Sequence, residues 1–469
     1  MTDYDLIVIG AGAVGENVAD RATQGGLSVV IIEQDLVGGS CSYWACVPSK
    51  VLLRSGAALT AARRVPGARE SLSNGVDTAA VFKRRNWFTG DWNDDGQADW
   101  LKSAGIDLLR GQARITGERE VTVDTGDGSQ VLTARHAVAV CTGSASLLPD
   151  VPGLADARPW TSSDATSVQE APESLAIIGG GVVAAELATA FASFGTKVSV
   201  ISRGGLLARM EPFAGDAVAT ALRDAGADVH LNTTPTRVSR NGGGVTVHWD
   251  GGEVTAKELL VATGRVPRTG GLGLESVGLT DGDWLSCDDT LRVQGVDWLY
   301  AAGDVTHRAL LTHQGKYQAR VAGDAIAARA TGRSLDVAPW GAHAATADHE
   351  AVPQVTFTEP EVASVGLTEA AARKAGYTVR VVDYDIGKVQ GAMLLAKDYA
   401  GQARLVVDTD RQVLLGATFV GQDVGELLHA ATIAVVGEVP FERLWHAVPA
   451  YPTVSEIWLR LLETWRDEG

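Results

Sequence analysis

Twice along the chain an apolar run ends in a glycine-rich turn, passes into a helix-forming stretch and returns as a second apolar run. The first copy reads DLIVIGAGAVGENVADRATQGGLSVVIIE and ends at Glu33. Continuous apolar runs of this length suit strands buried on both faces of a parallel sheet. Joined through a helix they make a βαβ unit, which commits the chain to a sheet layered with helices. Gly10, Gly12 and Gly15 fall in the G-x-G-x-x-G pattern. The first glycine allows the tight turn, the second lets the backbone approach a pyrophosphate, and the third lets the helix pack on the strand. The helix N-terminus then faces the phosphates, and Glu33 can accept both ribose hydroxyls. With 54 glycines in 469 residues the bare pattern arises readily by chance. The flanking strand, the helix and the acid are what separate a dinucleotide site from a plain glycine-rich turn.

The second copy, ESLAIIGGGVVAAELATAFASFGTKVSVISR, places Gly179, Gly181 and Ala184 at the three positions, alanine being tolerated at the last. Its closing strand ends in Ser202-Arg203, with Arg209 beyond, and carries no acid. A carboxylate there would repel a 2′-phosphate, whereas guanidinium groups bind one with forked donors. The first site therefore suits a cofactor with free ribose hydroxyls and the second suits NADPH. The plainer alternative makes both arginines solvated surface charges.

A net charge of −17 argues against nucleic-acid and anionic-membrane surfaces. No apolar run approaches the roughly 18 residues needed to span a bilayer, and MTDYDLIVIG has no basic segment before its apolar run. The expectation is a cytoplasmic protein of several domains, with a small-molecule substrate and no nucleic-acid or membrane partner.

Two of the four cysteines, Cys41 and Cys46, lie in GSCSYWACVPSK. No second C-x-x-C or H-x₃-H set accompanies them, so no metal site is expected. A redox pair or two inert buried thiols remain. PSKVLLRSGAALTAARR has helical composition, with Pro48 suited to a first turn. Residues five apart on a regular helix are too distant for a disulfide, which needs Cα atoms within ~7 Å. Cys41 is thus expected on an irregular turn at the helix start, where the helix N-terminus favours a thiolate.

At these residues the chain resembles the pyridine nucleotide-disulfide oxidoreductases of the glutathione reductase, lipoamide dehydrogenase and mercuric reductase type. The resemblance covers nearly the whole chain. GGSCSYWACVPSK is similar to that family's redox-disulfide motif. VCTGS (140–144) and VATGRVPRT (261–269) resemble its two crossover motifs between nucleotide domains. YAAGDVTHRALLTHQGKYQARVAGDAI resembles its second flavin motif, and FTEPEVASVGLTEAAARKAGY the start of its dimerisation domain.

The resemblance implies an α/β fold: two Rossmann-like nucleotide-binding domains plus a C-terminal α+β dimerisation domain. The FAD-binding domain would comprise residues 1–150 and 271–343, the NAD(P)H-binding domain 151–270, and the dimerisation domain 344–469. The protein would be a homodimer with shared active sites. FAD would meet Gly10, Gly12, Gly15, Glu33, Gly39, Ser40, Lys50, Ala113, Thr142, Gly143, Gly303, Asp304, Leu311 and His313. NADPH would meet Gly179, Gly181, Ala184, Arg203, Arg209 and Gly264. By the same resemblance, NADPH reduces the flavin, which opens a Cys41–Cys46 disulfide. Cys46 would be the thiol against the ring and Cys41 the one that meets substrate, a division that fits thiol exchange. Lys50 falls on the family lysine beside the flavin and Glu186 on its ion-pair partner; the bland alternative for each is a surface charge. Val182 stands where several relatives carry an aromatic over the nicotinamide pocket.

One part of the pattern breaks. Disulfide-reducing members carry a histidine, then Pro-Thr, then a glutamate that together protonate the departing thiol. This chain reads AYPTVSE, with Glu456 at the glutamate position and Tyr451 at the histidine position. A phenol of pKa ~10 cannot shuttle protons near neutrality as imidazole does. His446 lies five residues earlier with no sign that it substitutes. Mercuric reductases and soluble transhydrogenases share the tyrosine. The former carry a further cysteine pair near the C-terminus, whereas no cysteine follows Cys287 here; the latter lack the second cysteine of the motif.

Two function classes follow. In the first, electrons pass from NADPH through FAD and the cysteine pair to a small disulfide, metal ion or other thiol-reactive substrate. In the second, the flavin passes them directly to a quinone, dye, second nucleotide or dioxygen. A redox-sensing flavoprotein is a third reading, for which two full cofactor sites would be unnecessary.

Overall fold

The computed structural model describes residues 2–467. The chain forms two compact units. One comprises residues up to Pro48 with Asn86–Ser146 and Arg265–Asp348; the other comprises Ser49–Arg85, Leu147–Gly264 and the chain from His349.

The first unit begins β1 (Thr2–Ile9), α1 (Ala13–Gln24), β2 (Val29–Glu33), α2 (Gly39–Tyr43) and the start of α3 (Cys46–Arg63). β3 (Asp107–Arg110), β4 (Gln112–Gly117), β5 (Glu120–Asp124) and β6 (Ser129–Val140) follow. They form one sheet in the order β3-β2-β1-β6-β5-β4. β1 runs parallel to β2 and β6, with Ile7 opposite Val30 and Val138. The far edge of β6 is shared: its first half pairs antiparallel with β5, and Val138–Val140 pairs parallel with Leu299–Ala301.

Both faces of β1 are buried, which is why its sequence runs apolar rather than alternating. Leu6 and Val8 pack with Val18, Ala19 and Ala22 of α1 and with Ala322 and Ile326 of the helix Thr312–Ala330. Ile7 and Ile9 point the other way, against Ile115, Val121 and Val123 of the antiparallel strands.

The second unit holds a parallel sheet in the order Asp228–His230, Lys197–Ile201, Ser174–Ile178, Glu258–Val261. The helix Val182–Ser193 covers one face through Ala184, Ala185, Leu187, Ala188 and Phe191. An antiparallel three-stranded sheet covers the other through Val238, Val245 and Val247. From Pro353 onward the chain builds a five-stranded antiparallel sheet, closed by the helix Ile457–Asp467. No helix among the described residues is long and apolar enough to cross a membrane.

Candidate active site

Within the first unit the C-terminal ends of β1 and β6 open onto a cavity of about 450 Å³. Such crevices at strand ends are where open α/β sheets hold ligands. Gly10, Gly12, Glu33, Gly39, Ser40, Cys41, Ala113, Thr142, Gly143, Gly303 and Asp304 all line it. Gly15, Lys50, Leu311 and His313 do not, although Thr312 between the last two does.

Two glycines explain why the wall can close so tightly. Gly10 has φ +99°, and a Cβ there would lie 2.6 Å from the carbonyl oxygen of Cys141. Gly39 has φ +62°, and its Cβ would meet Gly12 Cα at 2.7 Å. Either substitution would strain the backbone and block the approach of the α2 loop to α1. Gly15 acts by packing instead, since a Cβ would collide with the Gly10 carbonyl.

Glu33 ends β2 with its carboxylate already fixed. Its Oε2 accepts from Ala11 N at 2.7 Å and its Oε1 from Asp35 N at 2.8 Å. Across the cavity, Ser144 Oγ donates to Asp304 Oδ2. Arg265 donates through Nε to Ser144 Oγ at 2.5 Å and through Nη2 to Ser144 O at 2.7 Å, and lies 3.5 Å from Asp304. Burial lowers the Arg265 pKa, opposed by the Asp304 charge. Ser144 and Arg265 lie within the two crossover motifs, whose local pattern gives neither a role; the pairing of the two short strands Ser144–Ser146 and Arg265–Pro267 brings them together.

The cysteines separate into two kinds. Cys141 and Cys287 are pushed up to about 12 by burial, which leaves them protonated and inert near neutrality. Cys41 lines the cavity from α2, and Cys46 begins α3. Cys41 sits on a five-residue helix rather than on the irregular turn expected. The break falls at Trp44, whose φ of −136° and ψ of 0° end α2 before α3 starts. Cys46 Sγ is 3.1 Å from Thr312 Oγ1, a partner that motif reading did not identify. Tyr43 is buried and packs against Trp44 with ring centroids 5.6 Å apart.

Residues 4–328 match the model of the pyridine nucleotide-disulphide oxidoreductase family, and residues 352–461 match that family's dimerisation domain. The chain belongs to this family. Like its other members it is an α/β flavoprotein oxidoreductase that works with FAD and a pyridine nucleotide. It is 32% identical to a mercuric reductase of Staphylococcus aureus over 97% of this chain and 81% of that one. It is 31% identical to a dihydrolipoyl dehydrogenase of Haloferax volcanii over 97% and 94%. Its fold superposes on the HOCl-induced flavoprotein disulfide reductase RclA of Escherichia coli, solved as a Cu(II) complex. The TM-score is 0.85, with 26% identity and 99% of each chain covered.

The cavity's residues fit the family's FAD. Gly12 caps α1 without a side-chain hydrogen bond, so the first-turn N–H groups of α1 are left for an anion at the cavity wall. Thr142 Oγ1 is buried in the same wall with no protein partner among the described residues. A buried hydroxyl left without a partner is costly, and a bound group would satisfy it.

In the second unit, Lys50 Nζ and Glu186 Oε2 form an ion pair at 2.6 Å, the pairing expected of them. Glu186 is buried, and its Oε1 accepts from Phe357 N at 3.0 Å. The Phe357 ring lies under the Lys50 ammonium, 5.1 Å from ring centroid to Nζ. Gly179 has φ +145° and Gly181 caps the helix Val182–Ser193, with Ala184 fully buried beneath it. The Gly264 carbonyl accepts a hydrogen bond from Leu147 N at 2.9 Å. Arg203 and Arg209 are both exposed, and neither forms a salt bridge among the described residues. Tyr451 is 73% exposed and His446 is also exposed, whereas Glu456 is buried with Oε2 unpartnered among the described residues.

Proposed function

We propose that this chain is an NADPH-dependent flavoprotein. Electrons pass through FAD to a Cys41–Cys46 redox disulfide and then to a small thiol-reactive substrate, a disulfide or a metal ion. The observation that carries this reading is the seating of Cys41 in the wall of the FAD cavity while Cys46 Sγ lies 3.1 Å from Thr312 Oγ1, another residue of that wall. The hydroxyl can hold a thiolate at Cys46 by hydrogen bonding. FAD supplies the hydride acceptor and the two-electron relay when bound. Glu33 and the open N-terminus of α1 would hold its ribose and pyrophosphate, and Asp304, fixed by Ser144, would hold its chain. By resemblance Lys50 takes the place of the family lysine that stabilises negative charge on the reduced flavin, and Glu186 holds its ammonium at 2.6 Å. The names of the mercuric reductase relatives and the Cu(II) complex of RclA support a metal ion within the substrate class.

The deciding experiment is anaerobic NADPH titration of the purified flavoprotein. A long-wavelength thiolate-to-flavin absorbance, with two thiols newly titrating, is the expected result. Its absence, with no thiols titrating, would sink the redox-disulfide assignment.

A second reading, direct transfer from flavin to a quinone or similar acceptor, draws on Tyr451. It stands exposed where the family's thiol-reducing members place a base, and a phenol supplies none near neutrality.

NADPH rather than NADH rests on Arg203 and Arg209, two exposed guanidinium groups with no salt bridge among the described residues, past a strand end that carries no acid. The double change Arg203→Ala, Arg209→Ala is expected to raise KM for NADPH roughly 10–30-fold, as loss of two solvent-exposed charge contacts worth about 0.7–1 kcal/mol each would do. KM for NADH should stay near its starting value, and equal losses with both coenzymes would refute the assignment.

The Lys50–Glu186 pair has its own test. Glu186→Gln removes the charge that fixes the ammonium, and stopped-flow reduction by NADPH should slow about tenfold with little change in coenzyme affinity. An unaltered rate would make the pair structural only.

The reading also takes the enzyme to be a cytoplasmic homodimer whose partner completes each active site. The dimerisation-domain match supports this, as do Ile433 (57% exposed) and Val448 (86% exposed), apolar residues that a partner would cover.

A further inference from the structure

Residues 86–103 carry Trp87, Trp92 and Trp100 and have no place in the chemistry above. Their contribution lies in one aspartate. Asp94 is buried, and its Oδ2 accepts from Val37 N at 2.6 Å and from Arg110 Nη2 at 2.7 Å. Arg110, the last residue of β3, also donates through Nη1 to Asp35 O at 2.8 Å. One ion pair therefore grips two backbone groups, Asp35 O and Val37 N, of the connection between β2 and α2.

That connection has two duties. Gln34, Asp35 and Leu36 line the FAD cavity, and α2 with Cys41 starts two residues beyond Val37. On its inner side Gly38 N donates to Ala11 O at 2.7 Å, which ties it to the glycine turn. On its outer side the Asp94–Arg110 pair is the hold. The loop is thus pinned from both sides immediately before the helix that carries the thiol. Val37 is fully buried, so its N–H has no water to turn to if Asp94 is lost.

We propose that Asp94 and Arg110 are a positioning pair that sets the height of Cys41 in the cavity wall. The pair acts through the 34–38 loop, and neither of its residues lines the cavity. The proposal rests on the reading of Cys41 and Cys46 as the redox pair beside FAD.

The test uses FAD-loaded full-length enzyme and the variants Asp94→Ala, Asp94→Asn and Arg110→Gln. Hydrogen exchange at Val37 and its neighbours should quicken at least about tenfold in Asp94→Ala, because the amide loses its Asp94 acceptor. Asp94→Asn, which keeps an acceptor and loses the charge, should fall between. Arg110→Gln changes a half-exposed residue and serves if Asp94→Ala does not fold. In each variant the thiolate-to-flavin absorbance per bound FAD should fall, and kcat with a thiol-reactive acceptor should drop roughly tenfold at little-changed KM, as misplacement of a reacting group does. Faster exchange with unchanged absorbance and kcat would reduce the pair to a structural strut and overturn the proposal. So would parental exchange rates in Asp94→Ala. A parent enzyme lacking the absorbance altogether would mark failure of the redox-pair reading itself, and this proposal would fall with it.

Discussion

Cys46→Ser is expected to abolish NADPH-driven reduction of thiol-reactive acceptors, with a loss of at least about 100-fold in kcat, while FAD stays bound. The oxygen that replaces Cys46 Sγ can keep the hydrogen bond to Thr312 Oγ1, so the start of α3 keeps its local contact. What it cannot do is form or exchange a disulfide, because a serine hydroxyl stays protonated and has no sulfur partner chemistry. The thiolate-to-flavin absorbance should vanish together with turnover. Cys287→Ser is the control. That thiol is pushed up to about 12 by burial, so its loss should leave turnover within about twofold. Parallel assays with a quinone and with a disulfide separate the two readings. Retained quinone reduction with lost disulfide reduction places the cysteines on the thiol route. Retention of both would mean that electrons leave the flavin directly and that the pair is not on the main path.

The parts of the site read from sequence were those encoded locally. Gly10, Gly12 and Glu33 announce themselves because a strand, a turn and a helix in immediate succession leave a periodic signature, and the cavity forms where that signature ends. The Lys50–Glu186 pair could be expected only through resemblance, since its two partners lie on helices far apart in the chain. Ser144, Arg265 and Asp304 meet only after the two short crossover strands pair, and no local pattern encodes that register. Thr312 was hidden differently. It sits between the two residues expected to approach the flavin, and the turn of helix that starts there presents it to the cavity instead. Asp94 was least visible of all, because it belongs to a stretch of tryptophans and aspartates without periodic pattern. Its meaning comes from the backbone N–H it meets 57 residues away in the chain. Hydrophobic periodicity reports which face is buried, and turn chemistry reports where the chain reverses; neither reports which distant loop a buried carboxylate will hold.

Stability should fall as pH rises from 4.5 to 7, and Glu16→Gln should remove the share of that fall due to Glu16, with Glu359, raised by burial to about 6, contributing to the rest. Glu16 lies in the first turn of α1, is 8% exposed, and has Oε1 without a partner among the described residues. Burial pushes its carboxyl up from the ordinary 4.5 to about 7; Lys316 opposes the rise and Glu33 adds to it. The folded chain therefore keeps this proton over a range in which the unfolded chain has released it. Where the folded state binds more protons, raising the pH favours unfolding. The cost is absent below pH 4.5, grows between 4.5 and 7, and is constant above. Two and a half pH units at 1.36 kcal/mol each give about 3 kcal/mol. Glutamine has nearly the same shape and no charge to bury, so Glu16→Gln should raise the urea midpoint at pH 8 and leave it little changed at pH 5. FAD retention should follow the same trend. An ionised Glu16 would put a negative charge at the helix end that receives the pyrophosphate, and the variant would keep that end positive at every pH. Equal midpoint shifts at pH 5 and pH 8 would show that the substitution acts through packing and that Glu16 does not carry the buried proton.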